Sequence, residues 1–263
     1  MPEVTRPVKH PRERIAMPRK AQTESIADAD AAPGGVAAVD RALTLLGAFR
    51  AGDLALGLSE LAERTQLYKS TVLRLLASLE HARLVQRQDD GRYSLGSEVA
   101  RLHSVYAASF SLDKVVLPVL RGLVAATGES AAYHVKQGQG AQERRVCLYR
   151  VDSPHPIRDH IQAGEVLPMD RGTGARVLRA FGAADQRAPP QRDRRLLAGI
   201  RQRGYYAAVG DRLADVAGIS APVFKADGSL AGALTLTMPS TRYQEKYSSA
   251  VLEAARRLGT RIG

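Results

Sequence analysis

Lys69, Ser70, Thr71, Leu73, Arg74, Ala77 and Ser78 fall on one side of a helical repeat whose other side is Val72, Leu75, Leu76 and Leu79. The apolar set recurs at i, i+3, i+4 and i+7, which predicts a helix over 69–81 with one buried stripe and a polar face in water. That polar face carries donors suited to a polyanion. A guanidinium fork matches the two acceptors on a guanine edge, a contact worth roughly 1–3 kcal/mol of base discrimination, and Arg74 is placed to make it. Lys69 suits a phosphate or a guanine near the helix start, and Ser70 and Thr71 can donate to phosphates or base edges. Arg87 and Arg92 flank the turn signal Asp89-Asp90-Gly91 between strand-like runs at 84–87 and 92–95. They are spaced for contacts with a nucleic-acid backbone or minor groove. Each residue taken singly is equally a solvated side chain; their convergence on one helix face favours the nucleic-acid reading.

A second candidate lies further on. Leu167-Pro168-Met169-Asp170-Arg171-Gly172-Thr173-Gly174-Ala175-Arg176 leads a loop into a helix. Small residues let backbone N–H groups approach an anion, and a helix N-terminus favours negative charge, so a carboxylate is the natural ligand group. A tight connection has the same composition. In the run Ala233-Leu234-Thr235-Leu236-Thr237, the two threonines are two apart, which sets both hydroxyls on one face of a strand. They suit a polar ligand or an exposed face equally well.

Catalytic and metal chemistry find little support. His155 and His160 are five apart, and His103, His134 and the single Cys147 are scattered. No nucleophile elbow, P-loop or dinucleotide fingerprint is present, so no metal, no cofactor and no enzyme activity is expected. One cysteine in 263 residues makes no intrachain disulfide, which fits a reducing cytoplasm. No apolar run reaches the roughly 18 residues of a membrane span, and the N-terminus lacks the apolar core of a secretory signal. The net charge of +11 favours nucleic acid or an anionic membrane surface as partner. Arg-rich composition alone gives the same balance, so the helix pattern decides and the charge follows.

Around these residues the chain divides. Residues 1–32 mix Pro, charged residues and Ala without periodicity and read as a disordered tail. Arg6, Lys9, Arg12, Arg14, Arg19 and Lys20 in it are available to phosphates, or to nothing. From Val36 a first helix buries Val39, Leu43 and Leu46, flanked by Ala42, Leu45 and Phe49. A short helix at 59–64, the turn Thr65-Gln66-Leu67, the 69–81 helix and a hairpin complete a winged helix-turn-helix over 33–96. A connecting helix spans 97–112, and another runs 112–126 to Gly128. Beyond it, strands are expected at 131–136, 145–151, 157–162, 204–209, 216–224 and 230–238, with helices near 174–181, 193–203 and 243–258. Strands outnumber helices, which predicts an α+β fold around one mostly antiparallel sheet over 113–263.

The stretch Leu67-Tyr68-Lys69-Ser70-Thr71-Val72-Leu73-Arg74-Leu75-Leu76, with Leu79-Glu80, Arg92-Tyr93-Ser94-Leu95-Gly96 and Val39-Asp40-Arg41-Ala42-Leu43, resembles the DNA-binding domain of the IclR family of bacterial regulators. The resemblance continues through Arg203-Gly204-Tyr205 and Ile219-Ser220-Ala221-Pro222-Val223-Phe224, covering almost all of 36–263. It implies a GAF/profilin-like C-terminal domain that binds an effector and oligomerises. It further implies that Thr173 and Gly174 hold the effector's carboxylate end, that Thr235 and Thr237 make polar contacts, and that Leu167, Val216 and Gly218 line the wall. Asp159 and Ile161, on the strand before the loop, are further candidates. Dimer contacts through the first helix and the connector, and a tetramer beyond them, are implied too. Three positions depart from the family: Gln66 and Arg83 where it usually has Gly, and Leu73 where it often has His or an aromatic residue. Arg171 and Arg176 alter the charge of the loop, and the segment near 184–195 is short.

These features together predict a regulator, repressor or activator, that binds a double-stranded operator as a homodimer or homotetramer. One recognition helix reads too few base pairs alone, so the operator should be (pseudo)palindromic. A small organic acid would set its DNA-binding state. The rival readings are an enzyme acting on a small acid with a DNA-binding appendage, and a constitutive DNA binder whose C-terminal part only oligomerises. The first needs a nucleophile or acid–base pair near Thr173, and the sequence offers none.

Overall fold

The computed structural model describes residues 25–109, 112–138, 143–182 and 191–262. Chain order opens with a short helix α1 (Ile26–Ala29) and α2 (Ala37–Gly47), followed by α3 (Leu58–Thr65) and α4 (Lys69–His81). The hairpin β1 (Val85–Arg87) and β2 (Tyr93–Leu95) comes next, then α5 (Ser97–Ser109) and α6 (Leu112–Thr127).

The head is built on one apolar centre. Val72, Leu76 and Leu79 of α4 meet Leu45 of α2, Leu61 of α3, and Val85 and Tyr93 of the hairpin, all buried. Two ion-paired arginines brace it. Arg64 of α3 binds Asp53 and donates to the Ala48 carbonyl at 2.9 Å, tying α3 to the end of α2. Asp28 of α1 pairs with Arg41 of α2 at 2.7 Å. Leu56 exchanges backbone hydrogen bonds with Tyr93, both 2.8 Å, an isolated bridge that ties the segment before α3 to the wing.

Two expectations fail here. The disordered tail was expected to reach residue 32, yet α1 forms at 26–29, because the Ser25 hydroxyl caps the Asp28 N–H and Asp28 is anchored by Arg41. Residues 1–24 lie outside the described ones. In α2 the buried residues are Leu45 and the following Ala48, with Ala42, Leu46 and Phe49 half covered, while Val39 and Leu43 are 52% and 58% exposed. The apolar residues of α2 therefore span two faces, and periodicity alone could not say which one the head covers.

The remaining elements are β3 (Ser130–Gln137), β4 (Arg144–Val151), β5 (Val166–Pro168), α7 (Thr173–Phe181), α8 (Gln191–Arg203), β6 (Tyr206–Val209), β7 (Val216–Phe224), β8 (Leu230–Pro239) and α9 (Tyr247–Gly259). The six strands form one sheet in the order β5-β4-β3-β8-β7-β6, with every pairing antiparallel. On one face Ala131 and Tyr133 of β3, Ile219 and Val223 of β7, and Leu234 and Leu236 of β8 pack under α6 and α9. The other face is split. Val177 and Leu178 of α7 and Leu197 and Ile200 of α8 cover Ala233 at one end. Ala132, Cys147, Ile161 and Leu167 form a small cluster at the other. The centre of that face is polar.

The strand expected at 157–162 is an irregular segment instead, and β5 forms later. The alternation of Ile157, Asp159 and Ile161 mimics a strand. Pro154 and Pro156 precede it, however, and the Asp159 carboxylate is drawn inward by Arg150 and Arg212. Pairing with β4 begins only where Gly164 N–H donates to the Cys147 carbonyl at 2.7 Å and Cys147 N–H donates to that of Glu165 at 3.0 Å. No helix among the described residues is long and apolar enough to cross a membrane.

Candidate DNA-reading face and effector pocket

The reading face follows from the packing of α4. Because Val72, Leu76 and Leu79 are buried, Lys69, Ser70, Leu73, Arg74 and Ser78 are exposed and Thr71 is half-buried. Tyr68, 60% exposed at the N-cap, belongs to the same edge and was passed over in the sequence. The turn before α4 puts Gln66 at φ 56°. On the wing, the Arg87 guanidinium lies 5.9 Å from the centre of the Tyr93 ring. Arg92 binds Asp90 at 2.7 Å, so a phosphate must compete with that carboxylate for it.

The pocket lies at the centre of the sheet's second face. β3 contributes His134, β4 Arg145, β6 Ala208, β7 Val216 and Gly218, and β8 Thr235 and Thr237. Gly172 and Thr173 at the start of α7 close it from above, with Asp211 and Arg212 from the β6–β7 loop and Ile161 from the irregular segment. The enclosed space between these walls is small, about 20 Å³, room for about one water, and it opens to solvent.

A chain of hydroxyls lines one side. Ser220 Oγ donates to Thr173 Oγ1 at 2.8 Å and lies 2.8 Å from Thr235 Oγ1. Glycine is needed where α7 meets the sheet: a Cβ at Gly218 would stand 2.6 Å from Thr173 Oγ1, and one at Gly174 would stand 2.7 Å from Arg145 Nη1. Asp211 accepts from the Gly172 N–H at 2.7 Å and pairs with Arg176 at 3.2 Å, which fixes the helix start.

The charges are unevenly matched. Asp159, its side chain almost fully buried, binds both Arg150 and Arg212 and accepts from Thr237 Oγ1 at 3.3 Å. Arg150 also binds Asp152 at 2.7 Å. Arg145 is only 2% exposed, yet its Nε and Nη2 have no hydrogen-bond partner among the described residues. Burial, and then the charge of Arg212, draws its pKa down to about 10. His134 is 1% exposed and neither ring nitrogen has a partner. Burial first, and then Arg145, Arg150 and Arg212, hold its pKa well below that of a free imidazole. Burial also raises the Cys147 thiol to about 12, which disfavours its thiolate form. Nε and Nη2 share one edge of the guanidinium, the edge that binds a carboxylate with two parallel hydrogen bonds. In this buried setting, that edge meets no acceptor among the described residues.

Of the residues singled out in the sequence, Ile161, Thr173, Val216, Gly218, Thr235 and Thr237 line the pocket. Asp159 stands behind it as the partner of Arg212 and Thr237, and Gly174 packs against Arg145. Leu167 sits in the adjoining apolar cluster rather than the wall. Sequence reasoning missed Arg145, Arg212, Asp211, Ser220 and His134. Arg145 carried no signal, since it follows Arg144 at the start of β4, where a charged residue is ordinary.

A winged helix-turn-helix followed by an antiparallel sheet with a polar pocket defines a DNA-binding transcription regulator with a ligand-binding domain. Sequence comparison agrees. Residues 38–89 match the IclR helix-turn-helix domain and residues 188–263 match the C-terminal domain of bacterial IclR transcriptional regulators. The regulator BhcR of Paracoccus denitrificans is 30% identical over 244 residues, covering 86% of this chain and 87% of its own. The glycerol operon regulatory protein of Streptomyces coelicolor is 28% identical over 218 residues, 77% of this chain and 84% of its own. The chain belongs to the IclR family of bacterial transcriptional regulators. Among solved structures, a putative IclR regulator from Silicibacter superposes with a TM-score of 0.71 at 27% identity, covering 84% of this chain and 93% of that one. An IclR homolog from Microbacterium hydrocarbonoxydans, complexed with 4-hydroxybenzoate, shares the fold at a TM-score of 0.73 and 22% identity, covering 86% and 98%.

Proposed function

We propose that this regulator binds a (pseudo)palindromic operator as a homodimer, or a pair of dimers, and that a small organic acid in the sheet pocket sets its DNA-binding state. The observation that carries the effector class is the buried Arg145 edge, without a partner among the described residues and packed by Gly172 and Gly174 at the N-terminus of α7. A carboxylate there would bond Nε and Nη2 and meet the helix dipole and the Thr173–Ser220–Thr235 hydroxyls. The 4-hydroxybenzoate complex of the Microbacterium homolog is in keeping with an acid ligand.

On the DNA side, Arg74 and Lys69 read base edges, with Ser70, Thr71 and Ser78 on phosphates or bases and Leu73 against a thymine methyl. Arg87 and Arg92 contact the backbone beside the wing. A second copy covers Val39 and Leu43 of α2 and Leu102 of α5, large apolar side chains left exposed in a single chain. The effector acts on the DNA heads through α5, and it does so only by binding one arrangement of the heads more tightly than the other. The working division is a head that begins with α1 and runs to 96, a connector over 97–112 and an effector domain from 113. The cytoplasm is its place of action.

Gel-shift titration against the DNA upstream of the chain's own gene tests the reading. Arg74→Ala should lower specific affinity roughly 5- to 100-fold while leaving random-DNA binding near its original level. Equal losses on both would remove Arg74 from base reading. Random DNA competing as well as the operator would remove sequence specificity altogether.

A further inference from the structure

The polar centre of the sheet contains a second unmatched group, His134, and together with the charge pattern it narrows the ligand class. The inference rests on the effector-pocket reading above. Arg150 and Arg212 are both committed to Asp159, and Arg150 also to Asp152. Arg176 is committed to Asp211. Arg145 alone among these four guanidinium groups has no carboxylate among the described residues, while Arg150 is left with a single buried unpartnered group, Nη1. That favours a monoanion. A second carboxylate would enter next to the carboxylates of Asp159 and Asp211, with no wholly uncommitted guanidinium among the described residues to meet it.

His134 sets the other requirement. It lines the same cavity from β3, next to the β4 strand that carries Arg145. The groups around it are Arg145 and Arg150 of β4, Cys147 opposite it in register, and Arg212, Asp211 and Asp159 across the pocket. Burial, and then three cations, favour the neutral imidazole. A neutral imidazole presents one N–H donor and one lone pair. Here both are buried without a partner among the described residues. A hydroxyl answers such a ring in either tautomer, because it accepts from the N–H or donates to the lone pair. A methyl or methylene in its place leaves the ring as unpaired as before.

We infer that the effector is a monocarboxylate bearing a hydroxyl, with the carboxylate on the Nε–Nη2 edge of Arg145 and the hydroxyl on His134. His134 is thus the residue that separates a hydroxy acid from the same acid without its hydroxyl. A site built to hydrogen-bond a hydroxyl rejects the analogue lacking it, since its own polar group is then left stranded.

Isothermal titration of the full chain with matched pairs tests this. Glycolate against acetate, 3-hydroxybutyrate against butyrate, and 4-hydroxybenzoate against benzoate set three different spacings between carboxylate and hydroxyl. In the wild type, at least one hydroxy acid should bind tenfold or more tightly than its partner. His134→Leu should bring that pair to within about twofold by weakening the hydroxy acid, with the melting temperature unchanged or raised. Arg145→Gln should weaken both members of the pair together. Pairs that bind alike in the wild type, preference for the plain acid, or no binding by any of the six overturns the hydroxyl inference. A preference that persists in His134→Leu overturns the role of His134. Undiminished binding by Arg145→Gln instead overturns the placement of the effector in this pocket.

Discussion

The head and the effector fold use arginine in opposite ways. In the head, Arg64 is satisfied by Asp53 and the Ala48 carbonyl, and Arg74 stands in solvent. Its polarity is outside and its interior is apolar. In the effector fold, Arg145 and His134 are inside, and the Arg145 Nε–Nη2 edge and both His134 ring nitrogens lack partners among the described residues. A head that presents donors to a long, hydrated polyanion needs no buried charge, because the phosphate backbone comes to the surface. A pocket that must distinguish one small acid does, because only a desolvated donor makes a missing partner costly.

If the head and the effector fold are separate folding units, a defect in one leaves the other folded. Leu76→Ala empties the centre of the head, where Leu76 is 1% exposed among Leu45, Leu61 and Val72. Such truncations cost about 2–5 kcal/mol. The expected outcome is loss of operator binding and of amide-exchange protection over α3 and α4, with β7 and β8 as protected as in the wild type. Protection lost equally in β7 and β8 would make the chain one cooperative unit.

A pair of matched substitutions comes next. Arg64→Met removes a paired arginine and strands Asp53, whose carboxyl the Arg64 hydrogen bond holds below its ordinary pKa. It should destabilise by about 1–3 kcal/mol in urea unfolding. Arg145→Met removes an unpaired cation and fills its place with a flexible apolar chain. It should leave stability unchanged or raise it by up to about 1–3 kcal/mol, and abolish the response to the acid. Destabilisation by Arg145→Met equal to that by Arg64→Met would mean that Arg145 is a structural residue.

His134 extends the contrast to pH. Its folded pKa lies below that of a free imidazole, near 6.5, so below that value the unfolded chain takes up a proton that the folded chain refuses. The stability it allows is therefore complete above pH 6.5 and is lost as the pH falls through that value. The limiting slope is about 1.4 kcal/mol per pH unit. Urea midpoints for the effector fold should fall between pH 6 and 5, and His134→Leu should flatten the fall. An unchanged slope in that variant would assign the acid sensitivity elsewhere.

What was legible in the sequence divides along the same line. The head was readable because a solvent boundary imposes period 3.6 on α4, so burying Val72, Leu76 and Leu79 also places Lys69, Ser70 and Arg74. The sheet's helix-covered face was readable too, and β7 falls where its residues predict, at 216–224. The pocket was read by half. Thr235 and Thr237 show in the period of β8, but Arg145, His134 and Arg212 come together only through the pairing of β3 with β4 and the return of the β6–β7 loop. Pairings between distant segments leave no mark on local spacing. The irregular segment at 157–162 misled for the converse reason: its alternation is real, but Asp159 serves an ion pair rather than a strand.

The smallest expected effect sharpens the comparison within the head itself. Gln66 and Arg83 are the two non-glycine residues with positive φ among the described ones, at 56° and 58°. They end α3 and follow α4, where Arg83 N–H donates to the Glu80 carbonyl and Leu84 N–H to that of Leu79, both at 2.9 Å. A left-handed residue with a Cβ costs roughly 1–2 kcal/mol, and glycine gives part of that back as disorder in the unfolded chain. Gln66→Gly and Arg83→Gly should each stabilise the head by about 0.5–1 kcal/mol, read as a rise of a few degrees in its melting temperature. The two turns lie on opposite flanks of the reading helix, so operator affinity separates what stability does not. If Gln66 is retained only as a tolerated strain, Gln66→Gly leaves affinity unchanged. If its side chain at the mouth of the helix-turn-helix contacts DNA, the same substitution raises stability and lowers affinity. Arg83, which lies past the C-terminal end of α4, should then show the stability gain alone.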